Sequence, residues 1–189
     1  MVDRVSALEG YYRPGKFGRL ASSDGAGVIL TEIRDLELHQ VAAWPDTLQA
    51  VGKQAAKAAG CRSAPGPCRA EFGGNAALLR VEPLKWWMVG AMAPGLDAEQ
   101  GSTLDLSHSR TRIRITGRDA AGFLNRHLSL DLREASFPPG TVASTVIHHV
   151  GVTLWRCDRG YDLFIPRGFA LSLWQGLVES ATQFGLEVV

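Results

Sequence analysis

Apolar and polar positions alternate along Thr103 to Gly117, TLDLSHSRTRIRITG, and the alternation changes phase once. Leu104 and Leu106 form one apolar pair and Ile113 and Ile115 another, each at the two-residue spacing of extended chain. The pairs differ in parity. A bulge, bend or break must therefore fall near Ser107-His108-Ser109 if all four side chains reach one core. Beyond Gly117 the period lengthens: Ala120, Phe123, Leu124 and His127 or Leu128 recur at helical spacing, and Asp119 sits in the first turn, where negative charge suits the helix dipole. The stretch predicts strand, glycine turn, then a helix over Arg118 to His127.

The same reading extends to the rest of the chain. Gly27 to Ala43, GVILTEIRDLELHQVAA, is rich in β-branched residues and predicts one long bent strand or two short ones. Trp44 and Pro45 open a helix whose stripe is Leu48, Val51, Ala55 and Ala59, and Gly60 stands where a C-terminal cap belongs. Arg62 to Asn75 reads as loop by its prolines and glycines. Ala76 to Val81 and Lys85 to Ala91 read as strands joined around Glu82-Pro83, and Pro94 to Ser102 as a short helix or turn. After a loop from Leu130 to Gly140, strands are expected at Thr141 to Ile147, Val150 to Cys157 and Tyr161 to Pro166, the last two joined by Asp158-Arg159-Gly160. A final helix carries Ala170, Leu173, Trp174, Leu177, Ala181 and Phe184 and stops at Gly185.

Met1 to Ala26 shows neither period. Its glycines and Pro14 break regular structure, while Tyr11, Tyr12 and Phe17 carry apolar surface worth burying. Residues 1–26 are therefore expected to form an extended arm lying on a partner, the alternative being a frayed tail. Residues 27–189 read as a single α+β domain of two similar halves, about 27–102 and 103–189, in which WWMVGAMAPG is answered by YDLFIPRGFA. The expected fold is a pseudo-duplicated α+β arrangement with helices covering one face of mainly antiparallel sheet. Neither half is long enough to bury a sufficient core alone.

Charge and composition narrow the functional classes. A formal net charge of +1 argues against a nucleic-acid binder, which carries a basic excess or stripe. No run approaches the ~18 apolar residues of a membrane helix, and MVDRVSALEG lacks a hydrophobic signal core. The expected location is cytoplasmic, with no membrane partner. Cys61, Cys68 and Cys157 fit that compartment as free thiols, since zinc sites normally need four ligands at tighter spacing than the C-x6-C of the first two.

Arg110, Arg112 and Arg114 share parity, so on a regular strand they form one row with ~6.8 Å between successive members. The row either grips an acidic partner surface or a phosphate, or forms a wet sheet face where the guanidinium groups meet nearby carboxylates; partner contact is the expectation. Trp86 and Trp87 must point to opposite faces of their strand. One fills the core, and Trp87 is a candidate contact unless both lie buried between layers. The five histidines offer no metal constellation. Ser107-His108-Ser109 pairs a nucleophile type with a base type, but consecutive strand side chains diverge, and hydroxyls bonding the backbone at the irregularity are the better reading. GAGVIL, from Gly25, precedes a strand instead of following one and is no dinucleotide site.

In order and spacing, the blocks SHSRTRIRITGRDAAGFLNRHLSLDL, FPPGTVASTV and LWRCDRGYDLFIPRGFALSLWQGLVESATQFGLEV resemble the gamma subunit of heterotetrameric sarcosine oxidase. The resemblance runs from about Val28 to the C-terminus and is densest after Leu104. Through that subunit the chain is similar to one folate-binding module of the glycine-cleavage aminomethyltransferases; the sister subunit of N-methylglutamate dehydrogenase is a close alternative. The resemblance implies a non-catalytic subunit partnered by alpha, beta and delta subunits. It places FAD, FMN, NAD, tetrahydrofolate and zinc in those companions, with no cofactor, metal or catalytic residue in this chain. The implied complex demethylates sarcosine oxidatively to glycine, passes the one-carbon unit to tetrahydrofolate and yields hydrogen peroxide. A free-standing folate-binding aminomethyltransferase relative is the reading from another class. Tyr11, Tyr12, Phe17, Trp87, Arg110, Arg112 and Arg114 are the candidate partner contacts.

Overall fold

The computed structural model describes residues 5–18 and 25–189. The chain runs β1 (Gly15–Phe17), β2 (Val28–Ile33), β3 (Leu38–Ala43), α1 (Leu48–Ala58), β4 (Ala70–Gly73), β5 (Ala76–Glu82), β6 (Lys85–Val89) and β7 (Gly101–Asp105). It continues with β8 (Arg110–Thr116), α2 (Ala120–Leu124), β9 (Val142–Ile147), β10 (Val150–Cys157), β11 (Gly160–Pro166), α3 (Ala170–Ala181) and β12 (Leu186–Val188). Seven strands form one sheet in the order β1-β12-β2-β8-β11-β10-β9, and five form another in the order β4-β5-β6-β3-β7. Every described strand pairing is antiparallel apart from β12 beside β2. This is an α+β fold with mostly antiparallel sheets and few helices.

Contacts divide the chain into two compact units. One comprises Met1–Arg34, Ser109–Pro139 and Thr145–Val189; the other comprises Asp35–His108 and Gly140–Ser144. The expected halves, 27–102 and 103–189, put the boundaries elsewhere. The physical reason is strand exchange: β2 pairs with β8, while β7 pairs with β3. The chain leaves the first sheet between β2 and β3, where Asp35 takes a left-handed φ of 52°, a conformation Asp tolerates better than bulky residues. It returns at residues 107–109, which form a turn between β7 and β8.

That turn is the phase change seen in the sequence. Ile113 and Ile115 are fully buried in the seven-stranded sheet and Leu106 is buried too, whereas Leu104 is 54% exposed on β7.

In the smaller unit, α1 presents Val51, Ala55, Ala56 and Ala59 to a cluster with Val41, Leu78, Trp86 and Met88. Small residues on the helix let it lie close to the sheet. Pro45–Thr47 form a 3-10 turn ahead of α1, and Gly60 closes it with φ 67° and an N–H bonded to the Lys57 carbonyl at 3.1 Å. In the larger unit, α3 buries Ala170, Leu173, Trp174, Leu177 and Ala181, the stripe expected from its spacing. The helix expected over Arg118 to His127 is regular only from Ala120 to Leu124.

Three strands escape the sequence reading. Arg62 to Asn75 is not all loop, because β4 pairs with β5 over Ala70 to Gly73. The tail after Gly185 becomes β12, and Gly15–Phe17 pairs antiparallel with it as β1. The expected arm at 1–26 therefore lies partly on its own unit: Leu8 is fully buried, and β1 is an edge strand of the seven-stranded sheet. Residues 1–4 and 19–24 of that expectation lie outside the described residues.

Candidate functional site

The arginine row lies on β8, the strand between β2 and β11, whose burial alternates residue by residue. Thr111, Ile113 and Ile115 are buried on one face. On the other, Arg114 stands opposite Asp162 of β11, and Arg112 opposite Phe164. The Asp162 carboxylate is completely buried and accepts from both arginines: Arg112 Nη2 at 2.6 Å and Nε at 3.2 Å, Arg114 Nε at 2.8 Å and Nη2 at 2.9 Å. The Arg112 guanidinium also lies 5.6 Å from the ring centres of Trp155 and Phe164, so aromatic faces supply part of its counter-charge.

Opposing forces set the ionisation of this cluster. Burial pushes the Asp162 carboxyl upward, but the hydrogen bond from Arg114 and the charge of Arg112 outweigh it and hold the group below the ordinary carboxylate range. Arg114 is raised in turn, chiefly by its hydrogen bond to Asp162. Arg112 and Arg114 retain only 12% and 16% side-chain exposure. Within this chain they therefore meet a carboxylate, Asp162, as the alternative reading of the row has it. Arg110, lowered by burial, donates through Nη1 to the carbonyl and hydroxyl of Ser109.

The N-terminal aromatics divide. Tyr12 stacks on Trp174 with ring centres 5.2 Å apart, its hydroxyl donates to the Val189 carbonyl, and it accepts from the Glu32 N–H at 3.0 Å. Desolvation raises its pKa above the usual phenol value despite the Glu32 bond. Tyr12 is thus engaged by its own chain, while Tyr11 is 55% exposed. Phe17 is half-buried on β1. Trp87 is 6% exposed, with its indole N–H bonded to Gln40 Oε1 at 3.4 Å, and its neighbour Trp86 fills the α1 core. Both faces of β6 are covered.

Ser107 does what its position at the strand break suggested. Its hydroxyl accepts from the Leu38 N–H at 3.0 Å and donates to the Leu38 carbonyl at 3.3 Å, replacing ladder bonds the turn interrupts. Asp105 Oδ1 caps the Ser107 N–H at 2.8 Å, and bonds from Ser107 keep its carboxyl below the usual range. Among the described residues, no group of three His, Cys, Asp or Glu side chains is placed to hold a metal ion. Cys61, Cys68 and Cys157 are free thiols, and burial raises the pKa of Cys61 and Cys157. No described helix is long and apolar enough to cross a membrane.

The α+β fold is shared with solved structures. It matches a chain of the heterotetrameric sarcosine oxidase from Corynebacterium sp. U-96, solved in complex with pyrrole 2-carboxylate, with a TM-score of 0.77 and 21% identity over 96% of both chains. Glycine cleavage system aminomethyltransferase T from Bartonella henselae aligns with a TM-score of 0.55 and 17% identity over 88% of this chain and 48% of that one.

In sequence, the chain is similar to sarcosine oxidase subunit gamma of Arthrobacter sp, 25% identical over 112 residues, which is 59% of this chain and 55% of the relative. The gamma subunit of Corynebacterium sp. (strain P-1) is similar to the same extent, 25% over 112 residues. The chain spans about half the length of these curated relatives in the match, 55% of each. No protein-family profile matches it.

Proposed function

We propose that this chain is a non-catalytic, gamma-type subunit of a heterotetrameric sarcosine oxidase. The observation that carries the reading is a convergence: sequence similarity to subunit gamma over 112 residues, and a shared fold over 96% of a chain from such an oxidase. The internal pairing of Arg112, Arg114 and Asp162 is consistent with it. Those charges neutralise one another at hydrogen-bond distance, which suits a framework more than a proton-transfer centre. Alpha, beta and delta companions would carry FAD, FMN, NAD, tetrahydrofolate and zinc. The assembly would oxidise sarcosine to glycine, transfer the one-carbon unit to tetrahydrofolate and release hydrogen peroxide, in the cytoplasm. In this reading the isolated chain is inactive, and of the seven candidate contacts the more accessible Tyr11, Phe17 and Arg110 come first.

The test is the visible spectrum of material that co-purifies with the tagged full chain at low expression in its native host. Flavin bands on larger companion chains, bleached by sarcosine, are expected. Bleaching by N-methylglutamate alone would move the assignment to the dehydrogenase. A colourless single chain that binds folate would replace the subunit reading with a free-standing folate-binding protein.

A further inference from the structure

A cleft of about 400 Å³ opens in the larger unit between the start of α2 and the hairpin joining β10 to β11. That volume falls within the roughly 300–1,000 Å³ of small-molecule sites. Its lining carries three arginines, Arg118, Arg156 and Arg159, against one carboxylate, Asp158. Ala120, Ala121 and Pro139 contribute a short apolar wall.

The three cations differ in how they are held. Arg156 is anchored: its Nη1 donates to the Phe137 carbonyl at 3.0 Å and the Tyr161 hydroxyl at 3.2 Å, and its guanidinium lies 5.3 Å from the centre of the Tyr161 ring. A guanidinium is a planar, rigid group of five N–H donors, so these contacts fix its orientation. Arg159 is exposed on the hairpin turn. Arg118, just ahead of α2, is 42% exposed, with its Nε 3.5 Å from Asp119 Oδ2. Asp119 and Asp158 offset part of the positive charge, so a monoanion gains little here. A ligand with two or more negative groups can engage more than one of the three arginines.

We propose that this cleft binds a small organic anion bearing at least two carboxylate or phosphate groups, with Arg156 as the fixed contact and Arg118 and Arg159 as the further cationic contacts. Planar forked donors suit either oxyanion, and the alanine and proline wall accommodates a short aliphatic spacer. The inference concerns this chain's own residues and does not depend on the oxidase assignment.

Thermal denaturation and titration calorimetry of the full chain, with any companions it retains, test it at low ionic strength, where such contacts are least screened. Citrate and tripolyphosphate are the separate probes. A saturable rise in melting temperature with citrate alone assigns the site to carboxylates, with tripolyphosphate alone to phosphates, and with both to polyanions in general. In each case the double variant Arg118→Ala/Arg159→Ala should bind at least about tenfold more weakly while keeping its circular dichroism. Arg156→Lys, which retains charge but loses the fork, should weaken binding less. Lys53→Ala/Lys57→Ala removes two exposed charges in the other unit and should change nothing. The proposal is overturned by absence of saturable binding to either probe, by unchanged affinity in the arginine double variant, or by an equal loss in the lysine control.

Discussion

Arg114 and Asp162 sit directly opposite each other on β8 and β11 and form a two-point ion pair, Nε to Oδ1 at 2.8 Å and Nη2 to Oδ2 at 2.9 Å. Arg112 binds the same carboxylate from two register positions along. One buried negative charge thus holds two positive ones on the central strand of the larger sheet, and the two parts of that arrangement respond differently to mutation.

Asp162→Asn keeps the shape but removes the charge, leaving two nearly buried guanidinium groups uncompensated. Breaking a buried pair in this way costs about 3–5 kcal/mol, and the residual exposure of both arginines places the expected loss near the low end, about 3 kcal/mol. Urea denaturation measures it. Replacing all three groups by apolar residues, Arg112→Met/Asp162→Leu/Arg114→Met, should cost much less, because it removes the desolvation penalty along with the attraction. A triple variant less stable than Asp162→Asn would contradict this account of the cluster.

The same carboxylate predicts an acid limb of stability. Asp162 has a folded pKa below that of an unfolded aspartate, so it binds a proton more readily once the chain unfolds. Its contribution is complete above the unfolded value of about 3.9 and is lost as pH falls through the lower folded value. Asp105 behaves in the same direction through Ser107, so the informative quantity is a difference. The stability gap between wild type and Asp162→Asn should be constant near neutral pH and shrink below about pH 4. A gap that stays constant down to pH 2 would show that Asp162 does not titrate with folding.

Much of the α+β pattern was legible because it is local. Alternation marks β8, and helical spacing marks α1 and α3. What escaped depended on distant partners. The three residues of β1 become a strand only against Leu186–Val188, and β4 only against β5. The parity of the arginine row and a nearby carboxylate were both legible, but not which carboxylate, although YDLFIP contains the clue: a lone acid within an otherwise apolar strand requires a cationic partner. Trp87 shows the complementary limit. Alternation puts it on the face opposite Trp86, yet only the folded chain reveals that this face is covered as well.

Gly117 marks the passage from β8 to α2 and has φ 104°, a region that disfavours L side chains. A Cβ there would come 2.3 Å from the Gly27 carbonyl oxygen, which already accepts from the Asp119 N–H at 2.9 Å. Gly117→Ala should therefore destabilise the chain by at least about 2 kcal/mol, from dihedral strain plus the backbone clash. Gly151→Ala is the matched control, since nothing lies within 4 Å of its added methyl, and should stay within about 0.5 kcal/mol of wild type. Equal urea midpoints for the two variants would refute the turn argument.

Tyr11 and Tyr12 are adjacent, yet one is 55% exposed and the other is stacked on Trp174 and hydrogen-bonded to Glu32 and Val189. Their truncations should separate stability from assembly. Tyr12→Phe removes only the hydroxyl bonds and should cost about 0.5–1.5 kcal/mol; Tyr12→Ala also removes the stacked ring and should cost about 3 kcal/mol or more. Tyr11→Ala should leave urea stability within about 0.5 kcal/mol of wild type and, if the exposed ring contacts a companion subunit, reduce the fraction of tagged chain recovered with flavin-bearing partners. Size-exclusion chromatography with absorbance at flavin wavelengths reads that fraction directly. A Tyr11→Ala chain that assembles fully would remove Tyr11 from the contact surface. Flavin recovery lost in Tyr12→Phe but retained in Tyr11→Ala would instead show that assembly depends on a folded N-terminal segment and not on the exposed ring.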